Sequence, residues 1–265
     1  MKCSEIIEYL ETLSPKKYAC EWDNVGLLVG RSEKEIHRIL IALDATESVV
    51  KMAADCNADM LITHHPVLFS PIKQVNEDHF TAKKVLTLAE QGICCYAMHT
   101  NYDIVGGMAE LAASEQYLDL SDVKPMTIEA EEHEGLGRFG RLPSPMTARQ
   151  VAEYVKERFN LSFVMLYQKK EDRERIYHDI AVLPGSGKSE LKTVKKEGYS
   201  LYLTGDFGHH EGIDAMDMGV TVIDATHYGL EHIFIDFITK YLKEKLKNEN
   251  VEIIPVDTGC PIDII

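Results

Sequence analysis

The stretch ADMLITHHP, residues 58–66, decides how this chain reads: a short apolar run, then two adjacent histidines and a proline. Neighbours on an extended strand point to opposite faces, so His64 and His65 can share a task only where the strand ends and the backbone turns. Pro66 disfavours an immediate helix and so places that turn. The spacing therefore predicts a strand over 59–63 that delivers two imidazoles to its C-terminal end.

Working outward, apolar runs alternate with amphipathic ones. The pattern predicts helices at about 3–13, 46–56, 79–91 and 107–118, and strands at 37–43 and 93–98 beside the one at 59–63. This β-α alternation implies a mostly parallel sheet covered by helices. The segment 127–150, TIEAEEHEGLGRFGRLPSPMTARQ, interrupts the rhythm with acidic residues, glycines and prolines, and reads as a crossing into a second lobe. Beyond it, TARQVAEYVKERF (147–159) and KSELKTVKKEG (188–198) read as helices, and HDIAVL (178–183) and SLYLTGD (200–206) as strands. The stretch 219–246 reads as a strand followed by a long helix. The fold class is thus α/β: two lobes with mostly parallel or mixed sheets flanked by helices.

Composition narrows the function. With 265 residues, 45% hydrophobic and 27% charged, the chain has the profile of a globular protein. It has no apolar run long enough to cross a membrane, and its amphipathic beginning, MKCSEIIEYLETL, does not resemble a secretory leader, so a cytoplasmic location is expected. The six cysteines show no CxxC spacing and read as buried free thiols. A formal charge of -15 repels phosphate backbones and favours divalent cations, so no nucleic-acid partner is expected. For a phosphorylated small molecule, Arg138 and Lys188 are the local cations that would have to offset that charge.

Three histidine-carboxylate clusters fall where apolar strands end: His64-His65, His99-x3-Asp103 and His227-x3-Glu231. Ligands collect at the C-terminal strand ends of parallel α/β sheets. His227 and Glu231 share one helix face if a helix begins near Thr226. A lone histidine at a strand end is usually a surface or capping residue; three such clusters in one context favour metal binding. Imidazole with carboxylate suits zinc, iron, manganese or nickel, and carboxylates such as Asp103 and Glu231 can bridge two cations, so two ions fit this set better than one. His209-His210 read as lining the cleft or supporting the direct ligands from behind rather than as ligands themselves, and His37, His79, His133, His178 and His232 as structural or solvent-facing. PGSGKSE (184–190) lacks the glycine that a nucleotide-binding loop needs at 182, where Val182 stands; it reads as a tight turn or an anion-holding helix start.

Taken together, EWDNVGLLVG (21–30), LITHHP (61–66), HTNYD (99–103), GLGRFGRL (135–142), LPGSGKSE (183–190), YLTGDFGHH (202–210) and THYGLE (226–231) resemble the Ngg-interacting-factor-three-like family in its short form. Its members are dinuclear-metal hexamers that often carry the name type 2 GTP cyclohydrolase I homolog. The resemblance implies a first lobe over 1–126 plus 217–265 and an inserted second lobe over 127–216. It implies His64, His65, Asp103, His227 and Glu231 as metal ligands for two divalent ions per chain, and His99 as a proton-transfer group or a partner beside the metals. It also implies a toroidal homo-hexamer acting on a nucleotide or other small molecule. Pro184 departs from the glycine expected in many relatives. Two activities follow: a hydrolase, either opening the guanine ring of GTP or cleaving phosphoesters, or a metal carrier without turnover.

Overall fold

The computed structural model of the chain describes residues 1–127 and 134–265. The acidic stretch 129–132 and His133 lie outside the described residues. Two compact units emerge, Met1–Gly106 with Phe234–Thr258, and Gly107–Ile233 with Gly259–Ile265.

The first unit runs α1 (Cys3–Leu13), β1 (Gly26–Val29), β2 (Arg38–Ala42), α2 (Glu47–Asp55), β3 (Met60–Thr63), α3 (Phe80–Glu90), β4 (Cys94–Ala97) and α4 (Thr100–Ile104). The second holds α5 (Met108–Ala113), β5 (Ser121–Pro125), β6 (Arg138–Thr147), α6 (Ala148–Arg158), β7 (Met165–Tyr167), β8 (Ile176–Ser186), α7 (Leu191–Lys196), β9 (Leu201–Gly205), α8 (His209–Asp217), β10 (Thr221–Asp224) and α9 (His227–Glu231). The chain then returns through α10 (Ile233–Lys245) and β11 (Glu252–Pro255) to the first unit.

The first sheet has the order β1-β4-β3-β2-β11, parallel from β4 to β11, with β1 antiparallel at the edge. Every residue of β3 and β4 is buried, as expected of strands covered on both faces. On one face Leu40, Leu61 and Cys95 pack with Val49, Val50 and Ala53 of α2 and Leu88 of α3. On the other, Tyr96 donates its hydroxyl proton to Glu11 Oε1 of α1 at 2.9 Å. Helix α10 lies beside α1, where Tyr241 OH bonds the Tyr9 carbonyl at 2.8 Å.

The second sheet, β5-β6-β8-β9-β10-β7, is mixed: β8, β9 and β10 are parallel, and the other pairings antiparallel. Phe139, Ala181, Tyr202 and Val222 meet Leu191 and Val194 of α7 and Ala215 of α8 in its core. Arg138 is buried; it bonds the carbonyls of Gly135 and Gly137 at 2.7 and 2.8 Å and Glu110 Oε2 of α5 at 2.8 Å. Its guanidinium is therefore a tether within the fold, not a cation open to a phosphate.

Two differences from the sequence reading have physical causes. Strand β10, grouped above with the first lobe, pairs with β9 and β7 in the second sheet, so the return begins only at α10. The helix expected over 107–118 is realised only as α5, Met108–Ala113, where Ser114 turns to extended backbone, and Gly106 and Gly107, both at positive φ, separate it from α4, which the sequence reading did not anticipate. Among the described residues, no helix is long and apolar enough to cross a membrane.

Candidate metal centre

In the first unit, β3 ends at Thr63, whose hydroxyl bonds the His65 carbonyl at 2.8 Å and closes the turn. This answers the question posed by the adjacent histidines. Released from strand geometry, the two rings sit 4.8 Å apart, tilted by 58°. His64 is fully buried and donates its Nδ1 proton to the Met98 carbonyl at 2.7 Å, at the end of neighbouring β4. His65 donates Nδ1 to Asp44 Oδ1 at 2.8 Å, just past the end of β2.

His99 follows β4 and starts α4, with its ring 5.1 Å from His64 and 5.4 Å from His65. Its Nδ1 bonds Asp23 Oδ1 at 2.9 Å. Burial alone would raise the Asp23 carboxyl, but bonds from His99 and from the Thr100 hydroxyl and amide outweigh it and hold the group down to about 2. Four residues on, Asp103 turns its Oδ1 to 3.6 Å from His64 Nε2. His64, His65 and His99 thus bring one nitrogen each within 4.8 Å of one another, a group able to hold a metal ion.

The acceptors fix the chemistry of these rings. Carbonyl and carboxylate oxygens only accept, so each Nδ1 carries the proton and each Nε2 keeps its lone pair outward. Metal-binding histidines are oriented in this way. The donor set therefore fits a divalent transition metal.

In the second unit, β10 leads into Thr226, a β-branched residue at φ 66°, where side chains are strained. Asp224 holds this turn by accepting from Thr226 N at 2.8 Å and Phe207 N at 2.9 Å. Burial pushes the Asp224 carboxyl above its ordinary value. Gly205 of β9 lets the turn approach, since a Cβ there would come within 2.7 Å of His227 N. His227 then donates Nδ1 to Asp206 Oδ2 at 2.8 Å and sets Nε2 3.0 Å from Glu231 Oε2, one turn along α9. Glu231 is buried, and Gly185 of β8 makes room for it: a Cβ on Gly185, itself at φ 77°, would collide with the Glu231 carboxylate.

The structure thus assembles His64, His65, His99 and Asp103 in one unit and His227 with Glu231 in the other. His209 and His210, expected to line the cleft, are exposed at the start of α8. PGSGKSE supports the fold: the Gly187 amide bonds Thr204 Oγ1 at 3.0 Å, its carbonyl accepts from Tyr202 OH at 2.8 Å, and Gly185 receives Glu231. Sequence reasoning missed Asp23, Asp44 and Asp206, the partners that orient three imidazoles. The signal for the latter two was their place just beyond β2 and β9.

Histidine-carboxylate groups that could hold a metal ion, at the ends of parallel strands on two α/β units with mixed sheets, define the class of the protein. The profile of the Duf34/NIF3 (NGG1p interacting factor 3) family matches residues 1–261, and the chain belongs to that family. It is similar to a protein of Methanocaldococcus jannaschii named GTP cyclohydrolase 1 type 2 homolog, at 36% identity over 97% of this chain and 100% of the relative. Among solved structures it is similar to reduced HcgD from Methanocaldococcus jannaschii, at 36% identity, a TM-score of 0.80 and 98% of each chain. A Bacillus cereus protein related to NIF3 shares the fold at a TM-score of 0.91 and 24% identity, covering 100% of this chain and 99% of that one.

Proposed function

We propose that the chain is a metal-dependent hydrolase in which His64, His65, Asp103, His227 and Glu231 hold two divalent ions and His99 transfers protons. One observation carries most of this reading: His64, His65 and His99 all give their Nδ1 proton to an oxygen, which leaves each Nε2 as a lone-pair donor. Zinc, iron, manganese and nickel all suit such donors. Bound ions would supply Lewis-acid activation of water and substrate.

The remaining chemistry belongs to the chain. Asp23 holds His99 at Nδ1 and fixes the orientation of its ring, so that Nε2 can take a proton from attacking water and return it to a leaving nitrogen. The names of relatives direct the choice of substrate to GTP. Water added at C8 of guanine opens the imidazole ring, a second hydrolysis releases formate, and rearrangement gives dihydroneopterin triphosphate.

The test is incubation of manganese-, iron- or zinc-loaded protein with GTP, followed by mass spectrometry of products. Formate and a dihydropterin are expected, the latter giving a fluorescent pterin after oxidation. Glu231→Gln and His65→Ala lose metal and both products, whereas His99→Ala keeps the metal and slows turnover roughly 10²–10⁴-fold. Release of phosphate without formate would replace ring opening with phosphoester cleavage. If no loaded form turns over GTP, other nucleotides or phosphoesters, while bound metal passes to an apo-protein acceptor, the protein is a metal carrier instead.

A further inference from the structure

Beside His99 lies an aromatic surface that the hydrolase reading does not use. Trp22 and Phe69 are 62% and 56% exposed, although both are large apolar rings. Their centroids lie 5.9 Å apart, and His99 stands edge-on to both, at 6.0 Å from Trp22 and 6.2 Å from Phe69. The three rings form an open cup with an imidazole at its base.

The cup is held in place by its neighbours. Asp23, next to Trp22, has a fully buried side chain bonded to His99, Thr100 N and Thr100 Oγ1. The Asp23 amide closes a turn onto the Cys20 carbonyl at 2.9 Å. Asn24 Nδ2 bonds the carbonyl of Leu68 at 2.6 Å, which ties this turn to the residue before Phe69. Phe69 also lines a cavity of about 760 Å³ with Pro71, Ile72 and Phe80, a size typical of small-molecule sites.

We propose that Trp22 and Phe69 bind a planar heteroaromatic ring of a small-molecule ligand, a purine or pteridine, and present its polar edge to His99. Indole and phenyl faces stack on such rings in offset geometry whatever the base, so the platform selects the class and leaves the choice within it to other groups. Two rings offer far less area than a stable protein interface buries, and a macromolecule seated on the cup would seal off His99. The catalytic meaning of the platform rests on the hydrolase reading, but binding to it requires no metal.

Trp22 is the single tryptophan of the chain, so indole emission reports on the cup alone. The full-length protein, stripped of metal with a chelator, is titrated with guanosine, adenosine, neopterin, GTP and inorganic triphosphate. Saturable quenching by GTP and by at least one of the phosphate-free heteroaromatics is expected, with none by triphosphate. Phe69→Ala should weaken that binding roughly tenfold or more without lowering the unfolding midpoint, because the ring is exposed. Three results would overturn the proposal: no response to any heteroaromatic, a response that Phe69→Ala leaves unchanged, or emission that changes only with protein concentration, which would assign the cup to contact between copies. Quenching without turnover in any metal-loaded form would sink the hydrolase reading and leave the platform standing; turnover without quenching would do the reverse.

Discussion

At the scale of single residues, each imidazole of the candidate centre has one nitrogen committed. His64 and His65 are legible in the sequence because an apolar run ends on them. Asp44 is not, because it becomes the partner of His65 only through the parallel register that sets Ala42 beside Thr63. Asp206 reaches His227 by the same logic, from the register that sets Thr204 beside Asp224. Pairing across strands leaves no trace in local spacing. Removing either carboxylate frees the ring to rotate and change tautomer while leaving the direct donors in place. Asp44→Ala and Asp206→Ala should therefore each weaken metal affinity about 10–100-fold, measured by competition with a chromophoric chelator. Both carboxylates are about half exposed, so the unfolding midpoint should hardly move. Unchanged affinity in both variants would mean that the imidazoles are held by packing alone.

At the scale of elements, the strands and helices with strong periodicity were legible to within a residue or two: β2, β3, β4, α2 and α3 all fall inside their expected ranges. Short elements escaped, α4, β5, β7, α8 and β11 among them, and so did β1, four residues that join the sheet antiparallel at its edge and carry too short a pattern to read. Residues 184–190 read as a tight turn or an anion-holding helix start, whereas the fold uses Gly185 for close approach. That yields a test of how α9 is positioned. Gly185→Ala places a methyl group against the Glu231 carboxylate at a backbone conformation unfavourable to alanine, and should cost about 1–3 kcal/mol in chemical denaturation. Metal binding should fall with it. A variant as stable as the parent would show that β8 shifts to admit the side chain, and the space for Glu231 would then not depend on this glycine.

At the scale of the whole molecule, the sequence carried the presence of two α/β units and the return of the chain to the first, because a break in rhythm and a late helix are visible in composition. It did not carry the point of return: β10 is buried throughout, as are β3 of one sheet and β9 of the other, and only pairing decides its place. Assembly is an expectation of the family resemblance. Six chains should associate, and light scattering at micromolar concentration should give the hexamer mass; a stable monomer would remove that expectation. The central claim, however, is the pair of metal ions, and elemental analysis of metal-reconstituted protein tests it most directly. The account predicts saturation near two ions per chain, because five ligands of this kind satisfy two cations when a carboxylate is shared, and a fall towards one in Asp103→Ala. Saturation near one ion, unchanged by Asp103→Ala, would contradict it.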